Sequence, residues 1–241
     1  MTAADTISAL GASLLSGRIS VIDCSGTLGP DTPLQSYPGN DQPPIEIHKI
    51  SEYDADGPFF AWNWLKLGEH SGTHFDAPKA WITGRDLQNN STDTVDPQKL
   101  AAPVCVINCT ALYAADRNGA LSVQDIQKWE TTHGNIPNGA WVVAYSGQKY
   151  CGPDAYAINY LIDKGIVGFG TDGLSTDAAE ANNADPPYPA QHFLHAAGLF
   201  GLASLTNLDQ LPPTGAILIA APLRFEGGTG SPVRALALVG T

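Results

Sequence analysis

Residues 141–170 read WVVAYSGQKYCGPDAYAINYLIDKGIVGFG and contain an apolar run, a helical pattern and a second apolar run in direct succession. The runs 141–145 and 166–170 are short and rich in β-forming residues, as strands tend to be. Between them, Pro153 suits the first position of a helix over 154–164, and Gly165 follows its end. A strand, a helix and a second strand in this order predict a mixed α/β fold.

The same alternation extends to both sides of this unit. Upstream, Ser122 with Asp125 three residues later resembles a capping box, with aspartate in place of the usual glutamate or glutamine. Downstream, the apolar segment 190–197 predicts another helix, and residues 1–20 predict a short first helix. Further strands are predicted at apolar runs bounded by turn residues: Ile19–Cys24, Phe59–Leu67, Val104–Cys109, Ala216–Ala221 and Val233–Val239.

Length and composition bound the class of protein. A chain of 241 residues, 43% of them hydrophobic and without a repeat or a low-complexity linker, predicts a single domain over residues 1–241. The net charge of −12 disfavours nucleic acid and anionic membranes as partners. No apolar run approaches the ~20 residues that span a bilayer, and the N-terminus does not resemble a signal peptide. Four scattered cysteines predict free thiols, and we expect a cytoplasmic protein.

Residues 68–86, GEHSGTHFDAPKAWITGRD, concentrate side chains that bind metals. Histidine and aspartate suit Zn²⁺, Mn²⁺ or Fe²⁺. In an extended segment His70, His74 and Asp76 would share a face, with small Gly72 between the imidazoles and Pro78 ending the strand. Three such ligands predict a divalent ion with a coordination position open to water. The pattern alone leaves open that the histidines are packed without an ion.

The segment 70–78, HSGTHFDAP, resembles the signature of the cyclase-type metal-dependent hydrolases, a family that includes kynurenine formamidases and isatin hydrolases. The continuation 81–86, WITGRD, and the aromatic lead-in 59–64, FFAWNW, are most similar to the isatin hydrolases. Weaker resemblance extends over 170–177, 189–200 and 205–216, so that it covers most of the chain from about Ile19 onward.

The resemblance implies a fold, a site and a reaction. The fold would be a mixed sheet with the swivelling β/β/α layer of these hydrolases. His70, His74 and Asp76 would hold one divalent ion, Mn²⁺ or Zn²⁺. The reaction would be hydrolysis of an aromatic cyclic amide, an isatin-like lactam, by a metal-activated water. The family's habit implies a homodimer or a larger homo-oligomer.

Ala80 departs from the family pattern, which continues Asp-x-Pro-x-His and has its last histidine at this position. A methyl group has neither an exchangeable proton nor a lone pair, so it cannot relay protons or bind a second ion. Two explanations are open. Ala80 replaces the family's histidine in an active-site variant, or the chain is a natural member that uses another base or has lost activity.

A second departure concerns the metal count and the helix near residue 190. Formamidases of the family carry a metal-binding glutamate shortly before the Leu-Thr-Asn-Leu stretch, whereas Leu202, Ala203 and Ser204 stand there, which favours a single ion. Isatin hydrolases face the ion with a His-x-x-Gln pair, which we match to His192 and His195. We predict His195 as a further metal ligand and His192 as part of the proton relay; packing of either in the core remains the alternative.

Aromatic residues before and after the metal cluster are predicted to line the substrate pocket. These are Phe59, Phe60, Trp62, Trp64 and Trp81. A flat fused ring fits such a wall, although core packing is the competing interpretation for each residue.

Two other functions stay open. The first alternative is an arylformamidase that cleaves N-formylkynurenine, and the second is a catalytically silent homologue that binds a metal or ligand. The sequence does not assign roles to four charged residues: Glu69, Asp172, Asp177 and Arg224.

Overall fold

The structure is a computed structural model that describes residues 2–35, 41–53, 57, 59–148 and 150–241. Its strands in chain order are β1 (Ile19–Asp23), β2 (Glu46–Ser51), β3 (Trp62–Lys66), β4 (His74–Asp76), β5 (Ala101–Asn108), β6 (Trp141–Tyr145), β7 (Gly168–Thr171), β8 (Phe200–Ala203), β9 (Ala216–Ile219), β10 (Gly230–Pro232) and β11 (Leu236–Gly240).

The helices are α1 (Ala3–Leu15), α2 (Thr110–Ala115), α3 (Val123–His133), α4 (Ala155–Asp163) and α5 (Pro189–Ala196). Short 3-10 helices occupy Pro78–Ala80, Pro97–Leu100, Ala181–Asn183 and Leu208–Gln210. Among the described residues, no helix is long and apolar enough to cross a bilayer.

Nine of the strands form one mixed sheet in the order β1-β11-β9-β5-β6-β7-β8-β4-β10. Its centre is parallel, from β5 through β8, and each parallel connection contains at least one helix, as such crossovers require. The flanking pairs are antiparallel. The predicted mixed α/β fold is confirmed; the domain boundary at residues 1–241 stays a prediction.

Both faces of the central strands are buried. On β5, Val104 and Val106 belong to one hydrophobic cluster, and Cys105 and Ile107 belong to the other, because alternate side chains point to opposite faces. The second cluster includes side chains of helices α3, α4 and α5, whereas the first includes side chains of the outer strands. The sheet thus curls around the first cluster and carries the helices on its other face.

Local signals placed several elements correctly. The capping box of Ser122 and Asp125 is present at the start of α3, and β6 has the predicted bounds. Helix α4 begins later than predicted, because Asp154 is its N-cap and accepts a bond from the N–H of Ala157. Pro153 therefore precedes the helix. Helix α2 and the strands β2, β8 and β10 were not predicted from the sequence.

The remaining strands, β2 and β3, pair antiparallel in a two-stranded sheet. Every residue of β3 is exposed. A two-stranded sheet is marginally stable by itself. We call this two-stranded sheet the arm, and its side chains lie outside the main core.

Candidate metal centre

Strand β4 carries the metal-binding cluster between β8 and β10. Asp76 lies opposite Gly201 on one neighbour and Gly230 on the other. A Cβ at position 201 would lie 2.8 Å from Oδ2 of Asp76, and one at position 230 would lie 2.5 Å from Cε1 of His70. The two glycines therefore make room for the side chains of the cluster.

The three predicted ligands converge. One ligand atom from each of His70, His74 and Asp76 lies within 4.8 Å of the others, and His74 and Asp76 are buried. Oδ1 of Asp76 is 2.6 Å from Nδ1 of His70 and 3.5 Å from Nε2 of His74. The carboxylate is therefore the common neighbour of both imidazoles.

The local backbone differs from the extended segment that the sequence analysis predicted. Regular strand begins only at His74, and Gly72 has a φ of +60°, in the left-handed region. A Cβ at position 72 would clash with Cδ2 of Leu28. The prediction that an extended strand aligns His70 with His74 was wrong, because a turn at Gly72 brings them together. Their rings lie 5.3 Å apart and nearly perpendicular.

Hydrogen bonding assigns the nitrogen that each histidine can offer. Nδ1 of His74 lies 2.7 Å from the carbonyl oxygen of Gly72, so this nitrogen carries a proton and donates it. Nε2 of His74 then keeps its lone pair and faces Asp76. Burial lowers the pKa of His74, which favours the neutral imidazole that metals bind.

The charges in the cluster favour an ionised Asp76. Burial by itself would raise the pKa of this carboxyl, but the neighbouring imidazoles of His74 and His70, together with the hydrogen bond from His70, outweigh burial and hold the pKa well below its usual range. Burial disfavours a charged His70, but its bond to Asp76 and the negative charges of Asp76 and Glu69 raise its pKa above the usual value. Metal binding at Nδ1 of His70 must therefore displace a proton.

The donor set fits a divalent ion such as Zn²⁺ or Mn²⁺. Two imidazole nitrogens and one carboxylate oxygen match the ligand types of open, catalytic sites of these metals. Among the described residues, His70, His74 and Asp76 form one group of at least three side chains whose ligand atoms converge. One such group fits the predicted single ion better than a two-metal site.

A cavity of about 310 Å³ opens onto the cluster. It is lined by Gln35, Gln42, Gly68, Glu69, His70, Asp76, Ala80, Trp81 and Gln191. Ala80 ends the 3-10 helix that follows β4, so the family's missing histidine would stand at the cavity wall. Trp81 is in the cavity wall as predicted, and its indole Nε1–H is buried without an acceptor in the described part of the chain.

Helix α5 brings Gln191 to the cavity and places His192 elsewhere. His192 does not belong to the cavity lining; its carbonyl oxygen accepts a bond from Thr83, and its ring packs on Phe193. The sequence analysis missed Gln191. The expected glutamine of the His-x-x-Gln pair could have been sought one turn earlier, where Tyr188 and Gln191 have the same spacing. The role of His192 in proton transfer stays a prediction.

His195, the predicted fourth ligand, is buried behind the site. Its Nδ1 lies 3.2 Å from the carbonyl oxygen of Leu199, and its ring is an electrostatic neighbour of Asp76. Burial lowers the pKa of His195. It does not belong to the group of ligand atoms within 4.8 Å of one another, so its metal contact stays a prediction.

The aromatic residues before the metal cluster, which were predicted to line the substrate pocket, lie outside the cavity lining. The described side chains of Phe59, Phe60, Trp62 and Trp64 are exposed on the arm around β3. Trp64 stacks on His48 of β2 with 4.2 Å between ring centroids. Their contact with substrate stays a prediction.

The structure also places the unassigned charged residues. Asp172 accepts bonds from the N–H groups of Ser146 and Gly147, and Asp177 accepts them from the first turn of α5. The side chain of Arg224 donates to the carbonyl of Asp93. Glu69 lies in the cavity wall next to His70.

Comparison with known proteins agrees with this geometry. Residues 22–178 match the family model named Cyclase. The chain is 52% identical to the isatin hydrolase of Roseibium aggregatum over 260 residues, which covers 99% of each chain. It is 28% identical to the kynurenine formamidase of Salinibacter ruber, covering 90% of this chain and 97% of that one. A crystal structure of an isatin hydrolase bound to the product analogue thioisatinate has a TM-score of 0.96 and 52% identity and covers 100% of both chains.

Proposed function

The chain belongs to the Cyclase family of metal-dependent hydrolases, and from that membership we propose that it hydrolyses the lactam of isatin or a closely similar aromatic cyclic amide. The observation that carries this proposal is the convergence of His70, His74 and Asp76 beside a cavity walled by Trp81. The 52% identity to an isatin hydrolase over the whole chain supports the same substrate class.

The proposed cofactor is one divalent ion, Mn²⁺ or Zn²⁺, held by Nδ1 of His70, Nε2 of His74 and Asp76. When bound, such an ion supplies Lewis acidity for a carbonyl and lowers the pKa of water. The protein's own contribution is positional. The two glycines opposite Asp76 leave room for the side chains of Asp76 and His70, and the Gly72 carbonyl holds the proton of His74 on Nδ1.

The cavity wall supports recognition of a flat aromatic amide. Trp81 offers an apolar ring face and an indole N–H that has no acceptor among the described residues, and Gln191 offers an amide that can donate and accept. Nε2 of Gln191 bonds Oγ of Ser175 over 3.2 Å, which leaves the carbonyl oxygen of its amide to face the cavity or the ion. We propose Trp81 as the ring contact and Gln191 as a polar contact of the substrate or a further ligand.

Proton transfer is the step for which the site is poorly equipped. Opening a lactam requires a proton on the leaving nitrogen, and Ala80 cannot supply one. His192 lies outside the cavity lining. We therefore propose that turnover of this chain is slow compared with a chain that has histidine at position 80.

We further propose a homodimer, built through the arm of β2 and β3. Four apolar side chains on or next to the arm are half exposed or more, namely Phe60, Trp62, Leu65 and Ile47, and Trp64 is 48% exposed. Exposed apolar patches of this kind mark interaction sites in folded proteins. A cytoplasmic location is proposed on the four buried cysteines, all of which are free.

One experiment tests the proposed function. Purified protein is analysed for bound Mn²⁺ and Zn²⁺, and ring opening of isatin is followed by absorbance for the wild-type chain and for Ala80→His. About one ion per chain with isatin opening supports the proposal.

The 28% identity to a kynurenine formamidase makes arylformamidase the second candidate. Release of formate from N-formylkynurenine with two zinc ions per chain would replace the lactam proposal by that one. A bound ion without turnover of either substrate, even in Ala80→His, would identify a silent homologue instead.

A further inference from the structure

A chain of hydrogen bonds leads away from the metal-binding cluster, starting at the ring nitrogen of His70 that does not face Asp76. Nε2 of His70 lies 3.0 Å from Oγ1 of Thr229, and the same hydroxyl bonds a carboxylate oxygen of Glu69. That oxygen also accepts the main-chain N–H of Thr229 over 3.1 Å. Glu69 and Thr229 are 160 residues apart in the chain, so the fold assembles this arrangement.

The direction of these bonds follows from the groups present. An ionised carboxylate only accepts hydrogen bonds, so the hydroxyl of Thr229 donates its single proton to Glu69. The hydroxyl oxygen then accepts from His70, which requires a proton on Nε2 of the imidazole. Thr229 thereby engages Nε2, and Nδ1, which donates to Asp76 over 2.6 Å in the metal-free chain, is the nitrogen that would bind an ion once it gives up that proton.

We infer that Glu69 and Thr229 are positioning residues that hold His70 in the Nε2–H tautomer and aim Nδ1 at the metal. The inference rests on the metal site of the proposed function. The two histidines then present different nitrogens, Nδ1 of His70 and Nε2 of His74, since the carbonyl of Gly72 holds the opposite tautomer of His74.

The surroundings of His70 support a fixed ring. A Cβ at position 230 would lie 2.9 Å from Nδ1 of His70, so the main chain of β10 presses on the imidazole beside the bond to Thr229. A Cβ at position 228 would lie 3.3 Å from Oε1 of Glu69, so that carboxylate is also held closely. Outer partners of this kind set the orientation and basicity of histidine ligands, and their loss typically lowers metal affinity ~10–100-fold.

The test measures binding of Mn²⁺ and of Zn²⁺ by titration calorimetry and does not use turnover. Thr229→Val removes the hydroxyl and keeps the shape, and we expect a ~10–100-fold loss of affinity. Thr229→Ser restores the hydroxyl and should restore the affinity. Thr92→Val is the matched control, because Thr92 is a buried threonine whose hydroxyl bonds the carbonyl of Phe225 instead of His70.

A spectroscopic readout separates orientation from general destabilisation. In ¹⁵N-labelled protein loaded with Zn²⁺, the ring nitrogens of His70 should show a protonated Nε2 in the wild type, and in Thr229→Val this Nε2–H should exchange faster with water because its acceptor is gone. Equal affinity of Thr229→Val and wild type, or a protonated Nδ1 in the loaded wild type, would overturn the inference.

The two proposals fail in distinguishable ways. A wild-type chain that binds neither ion would overturn the metal site and this inference together. A chain that binds metal normally and opens no isatin would overturn only the proposed substrate.

Discussion

The main-chain N–H of Gln191 donates a hydrogen bond to the carboxylate of Asp177 over 3.2 Å, and that of Ala190 donates to the other oxygen over 2.8 Å. Asp177 is buried, and these bonds tie the first turn of α5 to the segment that follows β7. The position of Gln191 in the cavity wall therefore depends on a carboxyl group that never reaches the cavity lining.

Asp177 should give the metal-free protein a pH-dependent stability. Burial raises its pKa from the usual 3.8 to about 7, although the two N–H donors oppose the shift. Between these values the unfolded chain has lost the proton and the folded chain keeps it, so this group's contribution to stability falls as pH rises. Urea unfolding from pH 4 to pH 7 should show wild type losing stability relative to Asp177→Asn. Parallel pH curves for the two proteins would contradict the assignment.

Replacing Gln191 and replacing the adjacent His192 should have different effects on catalysis and metal binding. We expect Gln191→Ala to lower kcat/KM for isatin or the metal affinity at least ~10-fold, since its amide is in the cavity wall. His192→Ala should leave both near the wild-type values, because that side chain is absent from the lining. Steady-state kinetics and metal titration of both variants decide. A large loss only in His192→Ala would restore the proton relay that the sequence analysis predicted.

Replacing Ala80 by histidine should raise turnover. The position is in the cavity wall, and a general acid or base is worth ~10²–10⁴-fold in rate. Absorbance of isatin under saturating metal gives kcat for each variant. Ala80→Leu is the control, since it fills the same space without a proton to exchange. An equal rate for Ala80→His and wild type would show that position 80 does not limit the chemistry.

Asp76→Asn should weaken metal binding by more than ~100-fold, a greater loss than the change of an outer partner brings. The carboxylate is the common neighbour of both imidazoles, and a neutral amide forfeits its charge. Elemental analysis after dialysis against a known concentration of Mn²⁺ measures the loss. Asp86→Asn, a charge change at an exposed position of the same segment, serves as control. Full metal occupancy in Asp76→Asn would place the ion elsewhere.

Lysine on the arm should dissociate the proposed homodimer. Trp62 is 54% exposed in the chain as described, so Trp62→Lys costs little core packing and charges the patch. Light scattering after size exclusion should give twice the chain mass for wild type and the chain mass for the variant. Tyr156→Lys, on an exposed site of α4, should keep the wild-type mass. A wild-type monomer would refute the proposed dimer.

The parts of the fold that could be predicted from sequence are those determined by neighbouring residues. Ser122 and Asp125 cap α3 through bonds between themselves, and β6 is bounded by turn residues at both ends. The missed strand β10 spans only Gly230–Pro232 and contains a residue that lacks an N–H. It is a strand because it pairs with β4, more than 150 residues earlier, and no local pattern reports such a contact.

The residues of the candidate site also differ in whether they could be predicted from neighbouring sequence. His70, His74 and Asp76 lie within one short segment, so their spacing and their family resemblance identified them. Thr229 reaches the cluster only through folding, and nothing near it in sequence indicates a metal. For Gln191 the residue type was expected, but the register was not, because a helical segment with two nearby histidines fits more than one register.

The place of β4 in the strand order separates the candidate metal centre from the strands that stabilise the fold. Only one strand, three residues long, lies outside it at that margin of the sheet, whereas β7, which contributes to the helix-covered cluster, lies two strands further in. Substitutions in and around β4 and β10 can therefore change which substrates the protein binds, while the parallel strands β5 to β8 keep the molecule folded.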